Sequence, residues 1–261
     1  MVATEFHATF RNSAQPHDPA TLEPRPVAYL ANGRRHGPIT RFIAPWDLGE
    51  LTSPFVLLNY AEAARRARPL FGAYPPSHVT TLTVVLSGEL SYEDATGKRG
   101  EVSAAGLAWM GAGSVLGHEG GRPPREPLRV FHLWIARPGG GEFASASEYV
   151  APDEVEEDGP VRVLLGEFGA ARSRVRQAPS GLNCFHVRLA DGQHFRYAAP
   201  EGHNVTWLAV DRGNLQLQGG ERVMREQIAL FGDSGGVIEV QADGDTSFVL
   251  GSAVRGTQAA R

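Results

Sequence analysis

The stretch His78-Val-Thr-Thr-Leu-Thr-Val-Val-Leu-Ser-Gly-Glu-Leu90 has a counterpart much later in the chain, His203-Asn-Val-Thr-Trp-Leu-Ala-Val-Asp-Arg-Gly-Asn-Leu215. Each stretch begins with a histidine that is followed ten positions later by a glycine. Threonine, valine and leucine also recur in register, as Thr81 and Thr206, Val85 and Val210, and Leu90 and Leu215. A β-branched run, a glycine turn and a new run, repeated at an offset of 125 residues, predict two copies of one β-domain.

The rest of the chain agrees with an all-β fold. Short apolar or alternating runs follow one another at the spacings of a sandwich or barrel, and helical periodicity is nearly absent. The run Leu128–Ile135 alternates with apolar residues on both sides, which predicts a central strand covered on both faces. We therefore expect two small antiparallel β-barrels or sandwiches.

Changes in composition divide the chain. The start is rich in Pro, Asn and His, a Pro-Gly-Gly-Gly run begins at Pro138, and an acidic run follows at 153–158. We interpret the segments, in order, as an N-terminal arm (1–38), a first barrel with the ligand pocket (39–137), a linker (138–160), a second barrel (161–252) and a short tail (253–261).

Composition excludes several classes of function. The 261 residues carry a net charge of −4, and the short arginine clusters have no interleaved aromatics, so neither nucleic acid nor an anionic membrane is an expected partner. A single cysteine, Cys184, rules out an internal disulfide and a zinc site of thiolates, and we place it in the core. The chain has neither an apolar run of membrane-spanning length nor a signal peptide, so the cytoplasm is the expected location. Composition does not fix the oligomeric state.

Four runs, in this order along the chain, carry a resemblance to a known family: Ser53-Pro-Phe-Val-Leu-Leu-Asn59, Pro75–Gly88, Trp109-Met-Gly-Ala-Gly113 with His118, and His132-Leu-Trp134. From about Thr40 to Gly251 the chain resembles the pirin family. Pirins are bicupins, with two cupin barrels in one chain, and some have quercetin 2,3-dioxygenase activity. The resemblance therefore implies an all-β bicupin with two tandem jelly-roll-like cupin barrels.

The resemblance also implies where a metal would bind. The first barrel of the family holds a divalent metal, usually iron, through a His-x-His pair, a later His and often a Glu two residues beyond it. Counted back from Gly88, the pair falls on Tyr74 and Pro76, whereas the later His is kept as His118. Gly120 occupies the Glu position, with Glu119 one residue early. We therefore expect no cofactor. The alternative is iron or another divalent transition metal on His118, His78 and Glu119.

Seven residues are candidates for the site. We assign catalytic roles to His118, Tyr74 and His132, with His118 and His132 as an acid–base pair if His132 faces the barrel interior. The ligand pocket is expected to include His78, Trp109, Met110 and Glu119. Six of them have a structural alternative: His118 as a hydrogen-bonded pocket residue, Tyr74 as an ordinary loop aromatic, His132 as a satisfied core residue, His78 as a strand start like His203, and Trp109 and Met110 as barrel wall. The second barrel is expected to be structural.

Three functions follow. The first is a pirin-like protein with a degraded metal site that binds a small aromatic or apolar molecule and catalyses a metal-independent cyclisation or isomerisation. The second is a metal-dependent, quercetin 2,3-dioxygenase-like oxygenase with an unusual ligand set. The third is a non-catalytic regulatory or binding protein. The sequence leaves open whether the protein is an enzyme.

Overall fold

In a computed structural model of the chain, the described residues are 23–63, 78–94, 96–111, 115–116, 126–137 and 147–255, with backbone alone at 115–116. Apart from a short 3₁₀ helix at Leu48–Glu50, the regular elements of this part of the chain are β-strands. None of its helices is long and apolar enough to cross a membrane.

The first domain contains a seven-stranded and a three-stranded antiparallel sheet. The large sheet has the order β11-β8-β5-β10-β4-β3-β2, and the small one the order β7-β6-β9. Their strands are β2 (Arg34–His36), β3 (Ile39–Ile43), β4 (Phe55–Ala63), β5 (Val79–Ser87), β6 (Glu89–Glu93), β7 (Arg99–Ser103), β8 (Leu107–Met110), β9 (Val115–Leu116), β10 (Leu128–Ala136) and β11 (Glu148–Val150).

The second domain has a nine-stranded sheet whose main path is β1-β20-β18-β21-β16-β13-β12, with β17 paired to β21 and β19 to β18. A two-stranded sheet, β14-β15, accompanies it. The strands are β1 (Val27–Asn32), β12 (Glu157–Asp158), β13 (Val161–Leu165), β14 (Glu167–Phe168), β15 (Ala171–Arg172), β16 (Leu182–Leu189), β17 (His194–Ala198), β18 (Val205–Leu217), β19 (Arg222–Val223), β20 (Gln227–Phe231) and β21 (Val237–Ala253).

The sequence repeat corresponds to a structural repeat. The two large sheets have the same path, and β5 and β18 occupy the same place in it, between β8 and β10 in the first and between β20 and β21 in the second. Both repeated glycines have positive φ, +77° at Gly88 and +71° at Gly213. Gly88 separates β5 from β6, whereas Gly213 lies inside β18, where the pairing with β21 shifts register. The strand pair predicted after His203 is therefore one bulged strand.

The predicted arm and linker both contain strands. From the arm, β1 pairs with β20 of the second domain, and from the linker, β11 pairs with β8 of the first. Each lies at the end of its large sheet and covers an edge that would otherwise expose unpaired backbone groups. The described part of the segment interpreted as an N-terminal arm, residues 23–38, thus contributes strands β1 and β2 to the sheets. A weak local pattern is outweighed here by pairing with a strand far away in sequence.

The two large sheets pack face to face, and this explains why β10 is apolar on both sides. One face of each sheet lines its own domain, and the other contributes to a shared core that includes Leu82, Phe131 and Trp207. Phe55 of the first domain meets Trp207 of the second edge-to-face, with 5.3 Å between the ring centroids. Cys184 lies in this shared core, and burial raises the pKa of its thiol. The all-β, two-domain prediction is confirmed.

Candidate functional site

Strand alternation determines which residues of β10 line the first barrel. Leu128 and Val130 pack in the cluster between the large and small sheets of the first domain, whereas Phe131 and Leu133 pack in the shared core. Because side chains alternate along a strand, His132 shares the barrel-facing side with Val130. The structure thus places His132 on the face that a ligand in this barrel would meet.

A row of polar side chains crosses this barrel-facing surface. Arg41 on β3 pairs in register with Asn59 on β4, which pairs with His132 on β10, which pairs with Thr83 on β5. Arg41 Nε donates to Asn59 Oδ1 at 3.1 Å, and His132 Nδ1 lies 2.9 Å from Thr83 Oγ1. Around the row, the surface consists largely of apolar side chains, including Ala61, Val85, Ala108, Met110 and Val130. The row is the main source of polar groups on this described surface.

The hydrogen bonds of His132 define its protonation state. Trp134 Nε1 donates to His132 Nε2 at 2.9 Å, so Nε2 acts as an acceptor and carries no proton. The proton of the neutral ring then lies on Nδ1, which donates to Thr83 Oγ1. Burial lowers the pKa of His132 to about 3. This arrangement favours the satisfied core histidine over the acid–base role that we predicted, because the ring is neutral and bonded through both nitrogens at neutral pH.

The two neighbouring candidates on β8 lie on opposite faces. Met110 is fully buried among the barrel-facing residues, as a pocket or wall residue should be. Trp109 is only 1% exposed and packs in the shared core between the domains. The structure therefore offers no support for the pocket role predicted for Trp109, because adjacent residues of a strand point to opposite sides of the sheet.

The two repeated histidines mark equivalent strand starts but have different surroundings. His78 is exposed in the turn before β5, where its backbone carbonyl accepts a hydrogen bond from Arg137 N. His203 is buried, and its Nδ1 lies 2.7 Å from Ser252 Oγ. The exposure of His78 opposes its predicted place in the pocket.

Three predicted site residues, Tyr74, His118 and Glu119, lie outside the described residues. Within the described ranges no group of three or more His, Cys, Asp or Glu side chains is arranged to hold a metal ion. Of the alternative ligand set, only His78 is described, and it is exposed. The described side chains by themselves therefore do not form a metal centre.

Sequence reasoning did not single out Arg41, Asn59 or Thr83. Each lies on the barrel-facing side of an alternating strand, so the pattern contained part of the signal. What it lacked was the register between strands, which brings four residues separated by as many as 91 positions into one row. Arg41 also approaches the exposed Trp46, with its Cζ 5.5 Å from the ring centroid.

Two large sheets of identical strand order, one per tandem β-domain, define the chain as a bicupin. Residues 39–135, nearly the whole first domain, match the pirin family model. The first domain is thus similar to the pirin family, as the sequence motifs indicated.

Relatives agree with this assignment. A Pseudomonas aeruginosa protein provisionally named a quercetin 2,3-dioxygenase is 28% identical over 253 residues, covering 86% of this chain and 85% of the relative. A pirin-like protein of Caulobacter vibrioides is 27% identical over 212 residues, covering 74% and 75% of the two chains.

Solved structures share the fold across both domains. A quercetin 2,3-dioxygenase from Acinetobacter baumannii superposes with a TM-score of 0.76 at 22% identity, covering 91% of this chain and 94% of that one. The bacterial pirin YhhW from Escherichia coli, solved with nickel(II), gives a TM-score of 0.63 at 18% identity, with 87% and 99% covered. At these identities the likeness concerns the fold alone.

Proposed function

We propose that the first barrel binds a small aromatic or largely apolar organic molecule in a site whose metal ligands have been replaced. The main support is the state of His132, which is neutral and hydrogen-bonded to Thr83 and Trp134 on a largely apolar surface. The substitution of the family's His-x-His pair by Tyr74 and Pro76 supports the same proposal. A proline has no side-chain donor atom for a metal, and a tyrosine would bind one only as the phenolate.

Such a site suits recognition by shape and hydrogen bonding. Apolar side chains take the body of the ligand, while Arg41 and Asn59 supply polar groups at one side of the row. We further propose a reaction without redox change, a cyclisation or an isomerisation, in which Tyr74 and His118 form hydrogen bonds to the substrate. Stabilisation of a developing charge by hydrogen bonds placed in advance is a known source of rate enhancement.

Equilibrium binding of quercetin to metal-free protein tests the proposal. Saturable binding is expected after dialysis against a chelator, because the ligand contacts side chains rather than a metal. Trp134→Ala should weaken it about tenfold, since this barrel-side aromatic would be lost. The matched control is Tyr29→Ala, an exposed aromatic on β1 of the second domain, which should leave affinity unchanged. Binding that appears only after a metal is restored would contradict the proposal.

A second candidate is a metal-dependent quercetin 2,3-dioxygenase. The observation that favours it is the name of the Pseudomonas relative, which covers most of both chains. It predicts oxygen uptake with quercetin when iron, manganese, copper or nickel is added. Failure with all four metals, on protein that still binds quercetin, would count against it.

A further inference from the structure

A polar cavity lies between the two domains, on the side of the large sheet that faces away from the first barrel. Its volume is about 450 Å³, within the range of small-molecule sites. The first domain contributes residues 84–86, Ala105 and Arg129, and the second contributes residues from β13, β16, β18 and β21. The cavity is therefore distinct from the site proposed above.

Positive charge dominates the lining, which includes four arginines: Arg129, Arg162, Arg188 and Arg212. Arg129 forms an ion pair with the buried Asp211. Arg162 forms an ion pair with Glu157, and the same carboxylate lies 3.7 Å from a guanidinium nitrogen of Arg188. Arg212 is exposed and forms no ion pair within the described part of the chain. One carboxylate, Asp245, belongs to the lining itself. The arginines thus exceed the carboxylates that neutralise them.

A buried histidine in the same lining has an unused polar atom. His186 is 6% exposed, and its Nε2 has no hydrogen-bond partner. Burial, and then the charges of Arg188, Arg162 and Arg129, lower the pKa of His186 to about 3, so the ring is neutral. The positive potential of these arginines disfavours a proton on His186, and the same potential favours the binding of an anion beside it. Buried polar atoms are nearly always bonded, so an unpartnered nitrogen in this lining points to an absent partner.

We propose that the interdomain cavity binds a small organic anion, whose carboxylate or phosphate oxygens are held by Arg188, Arg212 and the Nε2–H of His186. Arginine suits both headgroups because its planar guanidinium matches their oxygens with two parallel hydrogen bonds. Both arginines are well exposed and can turn towards a ligand. The three holding residues belong to the second domain, and the rest of the ligand would lie against residues 84–86 of the first. The proposal does not depend on the function of the first barrel.

Calorimetric titration of the full chain with inorganic phosphate and, separately, with succinate tests the site. At least one probe should bind saturably with one site per chain, and the stronger probe identifies the headgroup. The Arg188→Gln/Arg212→Gln double variant should lose at least about tenfold in affinity, since two charge-assisted contacts disappear. Arg176→Gln is the matched control, because the side chain of Arg176 is 89% exposed and is not part of the lining.

His186→Phe provides an independent test, because it keeps a ring of similar shape and removes the unpartnered nitrogen. It should weaken binding by about tenfold without lowering the melting temperature. If this variant does not fold, the arginine double variant decides. The proposal is overturned if neither probe binds saturably, if the double variant binds as tightly as the parent, or if Arg176→Gln loses as much affinity as the double variant.

Discussion

His132 illustrates how much the surroundings of one residue change its chemistry. Its place on the barrel-facing side of β10 was predictable, because the run Leu128–Ile135 alternates with period two. Its bonding was not, since Thr83 lies 49 positions away and the tautomer depends on the indole of Trp134. A histidine that is a candidate general base in the sequence is thus neutral in the structure and hydrogen-bonded through both ring nitrogens.

The pH dependence of stability should report this environment. Below about pH 6.5 the unfolded chain binds a proton that folded His132, with its pKa of about 3, does not bind. The free energy of unfolding should therefore fall as the pH drops from 6.5 towards 3, by about 1.4 kcal/mol per pH unit from this residue. His132→Gln should flatten the curve by that amount between pH 6 and pH 4 in urea unfolding.

Two other groups contribute to the same curve. His186, with a pKa near 3, acts in the same direction, whereas Asp211, with a pKa raised by burial to about 6, adds stability as the pH falls through 6. Both are present in the parent and in His132→Gln, so the difference between the two proteins isolates His132. Parallel curves for the two proteins would show that residue 132 is not held neutral.

At the scale of elements, the repeat itself makes a prediction about its two glycines. A Cβ at Gly213 would lie 2.6 Å from the backbone oxygen of Asp245, whereas a Cβ at Gly88 would come no closer than 3.1 Å to any atom. Both have positive φ, which alone costs a side chain about 1–2 kcal/mol. Gly213→Ala should therefore destabilise the protein more than Gly88→Ala, by at least about 1 kcal/mol.

Gly97→Ala is the control for these variants, because Gly97 has φ +84° and no atom lies within 4 Å of the position that its Cβ would take. It should show the cost of the backbone conformation alone, about 1 kcal/mol. Denaturant midpoints with unchanged m-values measure all three. An equal loss at Gly213 and Gly97 would mean that β18 relaxes easily around its bulge.

The edge strands show where sequence reasoning about elements ends. The series of strands and the repeat were predictable from β-branched runs and glycine turns. The pairing of β1 with the second domain and of β11 with the first was not predictable, because each strand pairs with a strand outside its own segment. Local pattern specifies that a strand can form, whereas the partner is selected by the exposed edges of the assembled sheets.

At the scale of the whole molecule, an ion pair joins the two domains. Arg129 of the first domain contacts Asp211 of the second, and Arg129 Nε donates to Tyr60 at 3.0 Å. Asp211 is 1% exposed and accepts a further hydrogen bond from Ser247. Its pKa, raised to about 6 by burial, still lies below neutrality, so the pair is charged at pH 7.

Arg129→Met should destabilise the protein by about 3–5 kcal/mol at pH 7.5, because the carboxylate of Asp211 would remain buried without its partner. The deficit should shrink at pH 5, where Asp211 protonates readily once the arginine is gone. Adding Asp211→Asn to this variant should recover much of the loss. Urea unfolding in buffers free of phosphate and carboxylates measures these differences.

Arg222→Met serves as the control, since the pair of Arg222 with Asp243 is exposed on both sides and should contribute less than about 1 kcal/mol. If Arg129→Met lowers the free energy of unfolding no more than Arg222→Met does, the ion pair between the domains does not stabilise the protein.

The central proposal about the whole molecule is that the first, pirin-like barrel has been kept while its metal ligands have been replaced. Metal analysis by mass spectrometry on protein purified without chelator tests this claim most directly. We predict far less than one transition-metal ion per chain, because the family's His-x-His pair, counted back from Gly88, falls on Tyr74 and Pro76, and because His132 is engaged by Thr83 and Trp134. About one tightly held iron, nickel or other transition metal per chain would contradict it.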